Sequence, residues 1–154
     1  MIIDSSLQMC NATAVANAAG TFLLGSQIDT TVAGTLEVEN LHLVIVATTA
    51  IVAAGAGTIQ FKLASDTTAA VSTTTSLDEV ITPAFVTANN STAIPAGTLL
   101  YSGKLPHDIG TLTPSRRFLG ILEVVGTSTI SSGNISAFLT ADVSKWAATA
   151  TVVN

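Results

Sequence analysis

The sequence predicts an all-β protein whose short strands pack as a β-sandwich or jelly roll. The first indication is a series of short apolar stretches, separated by turn-forming pieces such as AAGAG, ANNST, IPAG and SSGN. The second is that sustained helical periodicity is missing from a chain rich in Thr and Val. The third is the length of 154 residues, which fits one domain with one core. Many short strands without long helices are typical of two packed sheets.

In the first half of the chain, three strands and one short helix are predicted. The Ala-rich segment Cys10 to Ala19 is the helix candidate, and Thr35 to Glu39 is a short strand. Leu41 to Val46 carries apolar residues on both faces, as expected for a strand covered on both sides. Thr58 to Ser65 alternates apolar and polar residues with period two, which is the pattern of a half-buried strand.

In the second half, four strands and a second helix candidate are predicted. The low-complexity segment Ser65 to Ser76 is interpreted as a loop, an edge strand or a flap ordered by a partner, and Leu77 to Val80 is the helix candidate. Phe118 to Val125 is apolar on both faces, and Gly120 within it marks a bulge or a close backbone approach. The remaining strands are predicted at Ala84 to Thr87, Thr98 to Ser102 and Ile135 to Val143.

The two ends of the chain are predicted to be extended arms. MIIDSSLQ and AATATVVN are polar enough to leave a core, yet apolar enough to dock on another surface. The expected division is an N-terminal arm and leader over residues 1–20, a sandwich over residues 21–146 and a C-terminal tail over residues 147–154. Asp4 stands where a secretion signal needs positive charge, so classical secretion is not expected.

The uncharged stretch Leu43 to Phe61 is long enough to cross a membrane, but its composition predicts another structure. Glycines, threonines and a glutamine are spread through it, which is atypical of a membrane helix. We interpret it as two strands joined by a turn. Its AGAGT motif contains a G-x-G, but a phosphate-binding loop requires a helix after the glycines, and the following TIQFKL is a strand pattern.

The composition disfavours several classes of function. Charged residues make up 10% of the chain and the net charge is −5, so a field that gathers nucleic acid is absent and no nucleic-acid partner is expected. Cys10 is the one cysteine in the sequence, which excludes an internal disulfide and any zinc site with several cysteines. A surface with so few charges has little to keep it soluble alone, which favours a surface covered by partners.

The residues that could support catalysis are scarce and scattered. His42 lies within an apolar strand, where a packed or solvent-facing histidine is the expected state, and His107 next to Asp108 is a loop pattern. The acidic residues lack the spacing of a calcium-binding loop. We therefore predict no enzyme activity, no metal and no cofactor.

Arg116 and Arg117 stand side by side at the start of an apolar strand, although the chain has only five basic residues. Successive residues of a strand point to opposite faces, so the two guanidinium groups are expected to diverge. One can pair with a carboxylate of a neighbouring strand while the other reaches across an interface, because guanidinium offers a planar bidentate fork. The alternative is two solvated arginines after a Pro-Ser turn.

Several segments together resemble a known family. They are the MIIDSS arm, an Ala/Val/Thr-rich leader ending at QID, LHLVIVATTA, a G-T-x-x-F-x-L strand, IPAGTLL, a KLP loop, RRFLGILEVVGT and ISAFLTADVSKW. In this order and over nearly the full length, the chain resembles the capsid cement, or decoration, proteins of Bordetella-type short-tailed bacteriophages. RRFL followed by the V-x-G-T turn is the most specific of these pieces.

The resemblance implies a jelly-roll β-sandwich on the outer surface of an icosahedral phage head. It implies self-association as a dimer or trimer, binding to neighbouring major capsid protein subunits, and no catalysis. An ordered arm offers main-chain hydrogen bonds to such a surface, and a desolvated arginine offers charge-assisted ones. The expected contact residues are Met1, Ile2, Ile3, Asp4, Leu7, Arg116 and Arg117.

Two other functions fit a β-sandwich. A carbohydrate-binding or host-attachment module of a virion is one, since jelly rolls also occur in lectins, but clustered aromatic and acidic residues are lacking. An enzyme on a sandwich scaffold is the other, and the sequence offers it no acid–base constellation.

Overall fold

The computed structural model describes residues 7–30, 41–88, 93–106 and 116–143. These residues form nine strands in two antiparallel sheets, and no helix is found among them. The strands are β1 (Gln8–Ala14), β2 (Gly20–Asp29), β3 (His42–Ala53), β4 (Ala56–Asp66), β5 (Leu77–Ile81), β6 (Phe85–Ala88), β7 (Leu99–Lys104), β8 (Phe118–Gly126) and β9 (Ile130–Thr140). A search of the same residues finds no helix of sufficient length and apolarity to span a membrane.

The chain passes from one sheet to the other along its first four strands. The first sheet has the order β1-β9-β3-β7 and the second has the order β2-β8-β4-β5, with β6 also pairing with β4. The prediction of an all-β, two-sheet sandwich is confirmed. The strand order is compatible with a jelly roll, a finer topology that stays a prediction.

The main apolar core lies between the two sheets. Ile59, Phe61 and Leu63 of β4 are buried, whereas Gln60 and Lys62 between them are half-buried, so the predicted alternation of this strand is confirmed. Side chains from the other strands complete the core, among them Leu24, Leu43, Ile45, Leu119, Ile121, Ile135, Ala137 and Leu139. Each sheet therefore buries one of its faces against the other sheet.

Strand β8 is buried on its outer face as well, as its continuous apolar pattern predicts. On that face Leu122 packs with Ala64 of β4 and with Val71 of the β4–β5 loop, and Leu23 and Phe118 border the cluster. At Gly120 the pairing of β8 with β4 is regular, but its pairing with β2 shifts register opposite this residue, between Leu24 and Ile28, so the irregularity predicted here lies in the neighbouring strand. Side chains also approach closely: a β-carbon at Gly120 would lie 3.1 Å from carbons of both Leu23 and Val71.

The segment after β4 is a loop that is ordered by hydrogen bonds of its own. The Asp66 carboxylate accepts the backbone N–H of Thr67 at 2.6 Å and that of Ser72 at 2.8 Å. These bonds, that from Ser72 above all, hold the pKa of Asp66 below its ordinary value, because they stabilise the charged form. The loop thereby places Val71 on the outer face of β8.

Both helix candidates are wrong. Cys10 to Ala14 lies in β1 and pairs with β9, and Leu77 to Val80 lies in β5 and pairs with β4. In each case the neighbouring strand would otherwise leave main-chain groups unpaired, and this tertiary pairing outweighs a weak local helix preference. Strand pairing thus begins at Gln8, inside the range predicted as arm and leader. The strand predicted at Thr35 to Glu39 lies outside the described residues.

Strands β5 and β6 form an edge that is interrupted at Pro83. β5 pairs with the second half of β4 and β6 with the first half. Between them Thr82 is buried, and its hydroxyl oxygen accepts the backbone N–H of Phe61 at 3.0 Å, while its own N–H donates to the Phe61 carbonyl at 2.9 Å. The Thr82 hydroxyl thus accepts a main-chain hydrogen bond from β4 at the point where Pro83 interrupts the edge strand.

Candidate interface at the arginine end of the sandwich

Three of the predicted contact residues are described by the structure. Leu7 immediately precedes β1 and is half-buried against the main core. Arg116 and Arg117 immediately precede β8. Leu7 therefore adjoins the first sheet and the arginines adjoin the second. The other predicted contact residues, Met1, Ile2, Ile3 and Asp4, lie outside the described residues.

The strand directions place Leu7 and the two arginines at the same end of the sandwich. β3 and β4 are joined by a tight turn at residues 54–55, so the start of β3 and the end of β4 lie at one end. β8 begins beside the end of β4, and β1 begins beside β9 near the start of β3. We call this the arginine end, defined by Leu7, Asp29, Arg116, Arg117 and Phe118.

Arg117 is held by contacts with three residues. Its guanidinium Nη2 lies 3.1 Å from Asp29 Oδ2 at the end of β2. Its carbonyl accepts the N–H of Thr30 at 2.8 Å and the Thr30 hydroxyl at 2.9 Å. Its guanidinium carbon also lies 4.6 Å from the ring centre of Phe118. This is the internal carboxylate partner that the sequence suggested for one of the two arginines.

The contacts of Arg117 position the strand ends more than they stabilise the fold. The Arg117 side chain is 47% exposed and that of Asp29 is 20% exposed. An ion pair this exposed contributes at most about 1 kcal/mol, because water and salt screen it. The pair therefore leaves part of the Arg117 guanidinium accessible, whereas Arg116 beside it is half-buried.

A second exposed surface lies along the edge strand β5. Leu77 is 45% exposed and Ile81 is 54% exposed, and they are the large exposed apolar residues found within the described ranges. Asp78 between them binds Lys62 at 2.7 Å, and Glu79 accepts the hydroxyl of the buried Ser65 at 2.5 Å. The charged groups of β5 are thus paired with β4, and its two apolar side chains face solvent.

Within the described ranges, the groups that could carry chemistry do not converge. Cys10 is buried, and burial raises the pKa of its thiol to about 11, with a bond to Thr13 lowering it in part, so it is protonated at neutral pH. His42 is half-buried, with Nδ1 buried and without a hydrogen-bond partner. His107 and Asp108 lie outside the described residues. In the part of the chain that the structure describes, no cluster of His, Cys, Asp or Glu could hold a metal ion.

One buried carboxylate, that of Glu123 in β8, is not among the residues predicted from the sequence. Glu123 is 0% exposed, and its Oε2 accepts the side-chain N–H of Asn17 at 2.6 Å. Burial raises the pKa of Glu123 to about 7, and the Asn17 bond opposes this in part. The signal was present: Glu123 occupies the same period-two face as Ile121 and Val125, which are core residues.

The structure defines the class of this protein as a two-sheet, all-β sandwich. No protein-family model matches the chain, and no curated protein matches it either.

Proposed function

We propose that this protein is a capsid cement protein, which binds the outer surface of an icosahedral phage head and joins neighbouring major capsid protein subunits. The observation that carries the proposal is the arginine end. Leu7 and the two arginines, all predicted as contact residues, lie at one end of the sandwich although they are far apart in the sequence. One end of the sandwich therefore carries all three residues, so that a single partner can cover Leu7 and Arg116 together.

The composition of the chain supports the same function. With a charged fraction of 10%, the exterior has few ionised groups that must be desolvated when another subunit covers it. A cement protein also repeats the same contact over a whole shell. Each contact can then be modest, because simultaneous engagement raises the effective concentration of the next one.

The two arginines have different roles in this proposal. Arg117 contacts Asp29 and Phe118 and positions the start of β8 against the end of β2. Arg116 is proposed to donate hydrogen bonds to a carboxylate or carbonyl of the major capsid protein. Removal of one partner from a desolvated, charge-assisted contact costs about 2–5 kcal/mol, whereas removal of a solvated charge costs far less.

Binding to undecorated phage heads tests this function. Arg116→Ala is expected to weaken binding by about 2–5 kcal/mol, and Arg117→Ala by less, because only Arg116 is proposed to be desolvated in the contact. Removal of residues 1–6 is expected to weaken binding as well, because this arm is proposed to form main-chain hydrogen bonds with the capsid surface. Sedimentation of heads with labelled protein measures the bound fraction.

The matched control is the double variant Lys62→Ala/Asp78→Ala, which removes a cation of β4 away from the arginine end together with its partner, so that no carboxylate is left unpaired on β5. It is expected to bind heads as the intact chain does. Thermal unfolding of every variant separates lost binding from lost folding. Wild-type binding by both the Arg116→Ala variant and the truncated chain would contradict the proposed contact.

The proposal includes self-association through the edge strand β5, with a second copy of this chain as the partner. An edge strand offers main-chain N–H and C=O groups to another strand, and Leu77 and Ile81 add exposed apolar area beside them. Both carboxylates of β5 are engaged within the sheet, since Asp78 pairs with Lys62 and Glu79 accepts the hydroxyl of Ser65. A dimer or trimer built on β5 leaves the arginine end for the head.

Ile81→Lys is expected to weaken self-association by about tenfold or more, because a lysine on an edge strand must be desolvated when another strand pairs with it. Light scattering after size-exclusion chromatography measures the mass over a range of protein concentrations. The matched control is Thr74→Lys, which adds the same charge to an exposed loop position. Oligomers of unchanged mass and affinity in the Ile81→Lys variant would exclude β5 as the interface.

A further inference from the structure

Residues 15–19 connect β1 to β2 across the end of the sandwich opposite the arginine end, and we call them the connector. The N–H of Val15 donates to the carbonyl of Gly133 at 3.0 Å, and the N–H of Ile130 donates to the carbonyl of Asn17 at 2.9 Å. The Asn17 side chain donates to Glu123 at 2.6 Å. The connector is thus held on β9 by main-chain bonds and on β8 by one side-chain bond.

The environment of Glu123 is poor for a charge. Phe22 of β2 and Phe61 of β4 are its partners in the two neighbouring strands. One carboxylate oxygen is bound by Asn17, and Oε1 is buried without a hydrogen-bond partner. A buried charge with only one neutral donor keeps a large desolvation penalty. The neutral acid fits this site better than the carboxylate.

Among the residues that the structure describes, no charged group compensates the Glu123 carboxylate. The elements packed against it carry other titratable side chains, namely Cys10 on β1, Asp29 on β2, and Lys62 and Asp66 on β4. Asp29 pairs with Arg117 and Lys62 with Asp78. The pKa of Glu123, about 7, has burial and the Asn17 bond as its causes, and none of these neighbours contributes. The carboxyl and Asn17 therefore act as an isolated pair.

We propose that Glu123 and Asn17 form a proton-dependent latch, which holds the connector on the sandwich while Glu123 is protonated and lets it open when Glu123 ionises. Opening of the connector brings water to the carboxylate and removes the desolvation penalty. Closure of the connector excludes water and favours the protonated form of Glu123. The latch lies at the opposite end from the proposed contact surface, so it does not depend on the proposed function.

Amide hydrogen exchange tests the latch on the intact chain. The reporting amides are those of Val15 and Ile130, whose hydrogen bonds tie the connector down. After correction for intrinsic exchange, their protection is expected to fall about 30-fold between about pH 5.5 and about pH 8.5, if the open state restores the ordinary pKa of Glu123. This loss is expected to be independent of low concentrations of urea, because a local opening exposes little surface.

Two variants and two reference amides complete the test. Glu123→Gln is expected to abolish the pH dependence at Val15 and Ile130. Asn17→Ala removes the bond that lowers the Glu123 pKa, so its inflection is expected at higher pH, with weaker protection throughout. The reference amides are those of Ala47 and Leu105, which donate to the carbonyls of Thr98 and Leu41 on the β7 side of the first sheet, away from the connector.

Two results would overturn the latch. The first is protection of Val15 and Ile130 that does not change with pH in the wild type. The second is exchange of these amides with the same urea dependence as those of Ala47 and Leu105, which would mean that Glu123 becomes exposed only by global unfolding.

Discussion

Replacement of Glu123 by Gln is expected to raise the free energy of unfolding by about 3 kcal/mol above pH 7. Gln has nearly the shape of Glu and can still bond to Asn17, but it never carries a charge. The wild-type carboxylate is ionised above pH 7 in a site where it is 0% exposed. The variant removes the penalty of this buried charge and keeps the packing between Phe22 and Phe61.

The sign of the pH dependence follows from the direction of the shift. The pKa of Glu123 is raised from 4.5 in the unfolded chain to about 7 in the folded protein, so the folded state binds the proton more tightly. The contribution of this group to stability is complete below pH 4.5, falls as the pH rises to about 7, and is constant above that. Acid therefore strengthens the fold at this position, which is the reverse of the usual case of a salt-bridged carboxylate.

Urea unfolding of the wild type and of Glu123→Gln at a series of pH values measures the effect. The difference in free energy of unfolding is expected to be close to zero near pH 4, to grow between pH 4.5 and pH 7, and then to stay constant. The acid end of the titration serves as the internal control, because both side chains are neutral there. A difference that does not change with pH would show that Glu123 is not a buried carboxylate.

Replacement of Gly25 by Ala is expected to destabilise the protein by about 3 kcal/mol, from backbone strain and a steric clash together. Gly25 lies in β2 at the shift of register between Leu24 and Ile28, with φ at +60°. A β-carbon there would overlap the carbonyl oxygen of Met9 in β1 and would lie 3.0 Å from the Cys10 sulfur. The obstacle is backbone, which cannot move aside as a flexible side chain would.

Gly97→Ala is the matched control for the Gly25 variant. Gly97 also has a positive φ, at +82°, but a β-carbon there would meet nothing within 4 Å. Its replacement is expected to cost about 1 kcal/mol, which is the backbone term alone. Urea unfolding of the two variants separates strain from clash. Equal losses would mean that β1 and β2 are not packed closely at this corner.

The chain's alternating and continuous apolar patterns predicted its best strands correctly. Thr58 to Ser65 alternates, and β4 buries that same set of side chains between the sheets. Phe118 to Val125 is apolar on both faces, and β8 is covered on both. These predictions succeed because successive side chains of a strand point to opposite faces. A buried face therefore requires an apolar residue at every second position, and this pattern can be recognised within a short segment of the sequence.

Local sequence patterns did not predict the strands whose structure depends on pairing with distant segments. The segments at Cys10 to Ala19 and Leu77 to Val80 look weakly helical, yet the first contributes β1 and the second β5, each at a sheet edge. Local preference differs by only a few tenths of a kcal/mol per residue, whereas an unpaired buried main-chain group costs about 1–3 kcal/mol. Such edges cannot be located before the sheet order is known.

Of the proposed contact surface, the sequence supplied the residues and the tertiary structure supplied their arrangement. The pairing of arginines, the low charge and the all-β class follow from composition and local pattern, because they depend on residues near one another in the chain. That Arg117 binds Asp29, that Leu7 lies at the same end as the arginines, and that Glu123 is sealed beside Asn17 depend on strand order and register. Those long-range pairings bring together residues separated by about a hundred positions, and only the folded backbone specifies which of them meet.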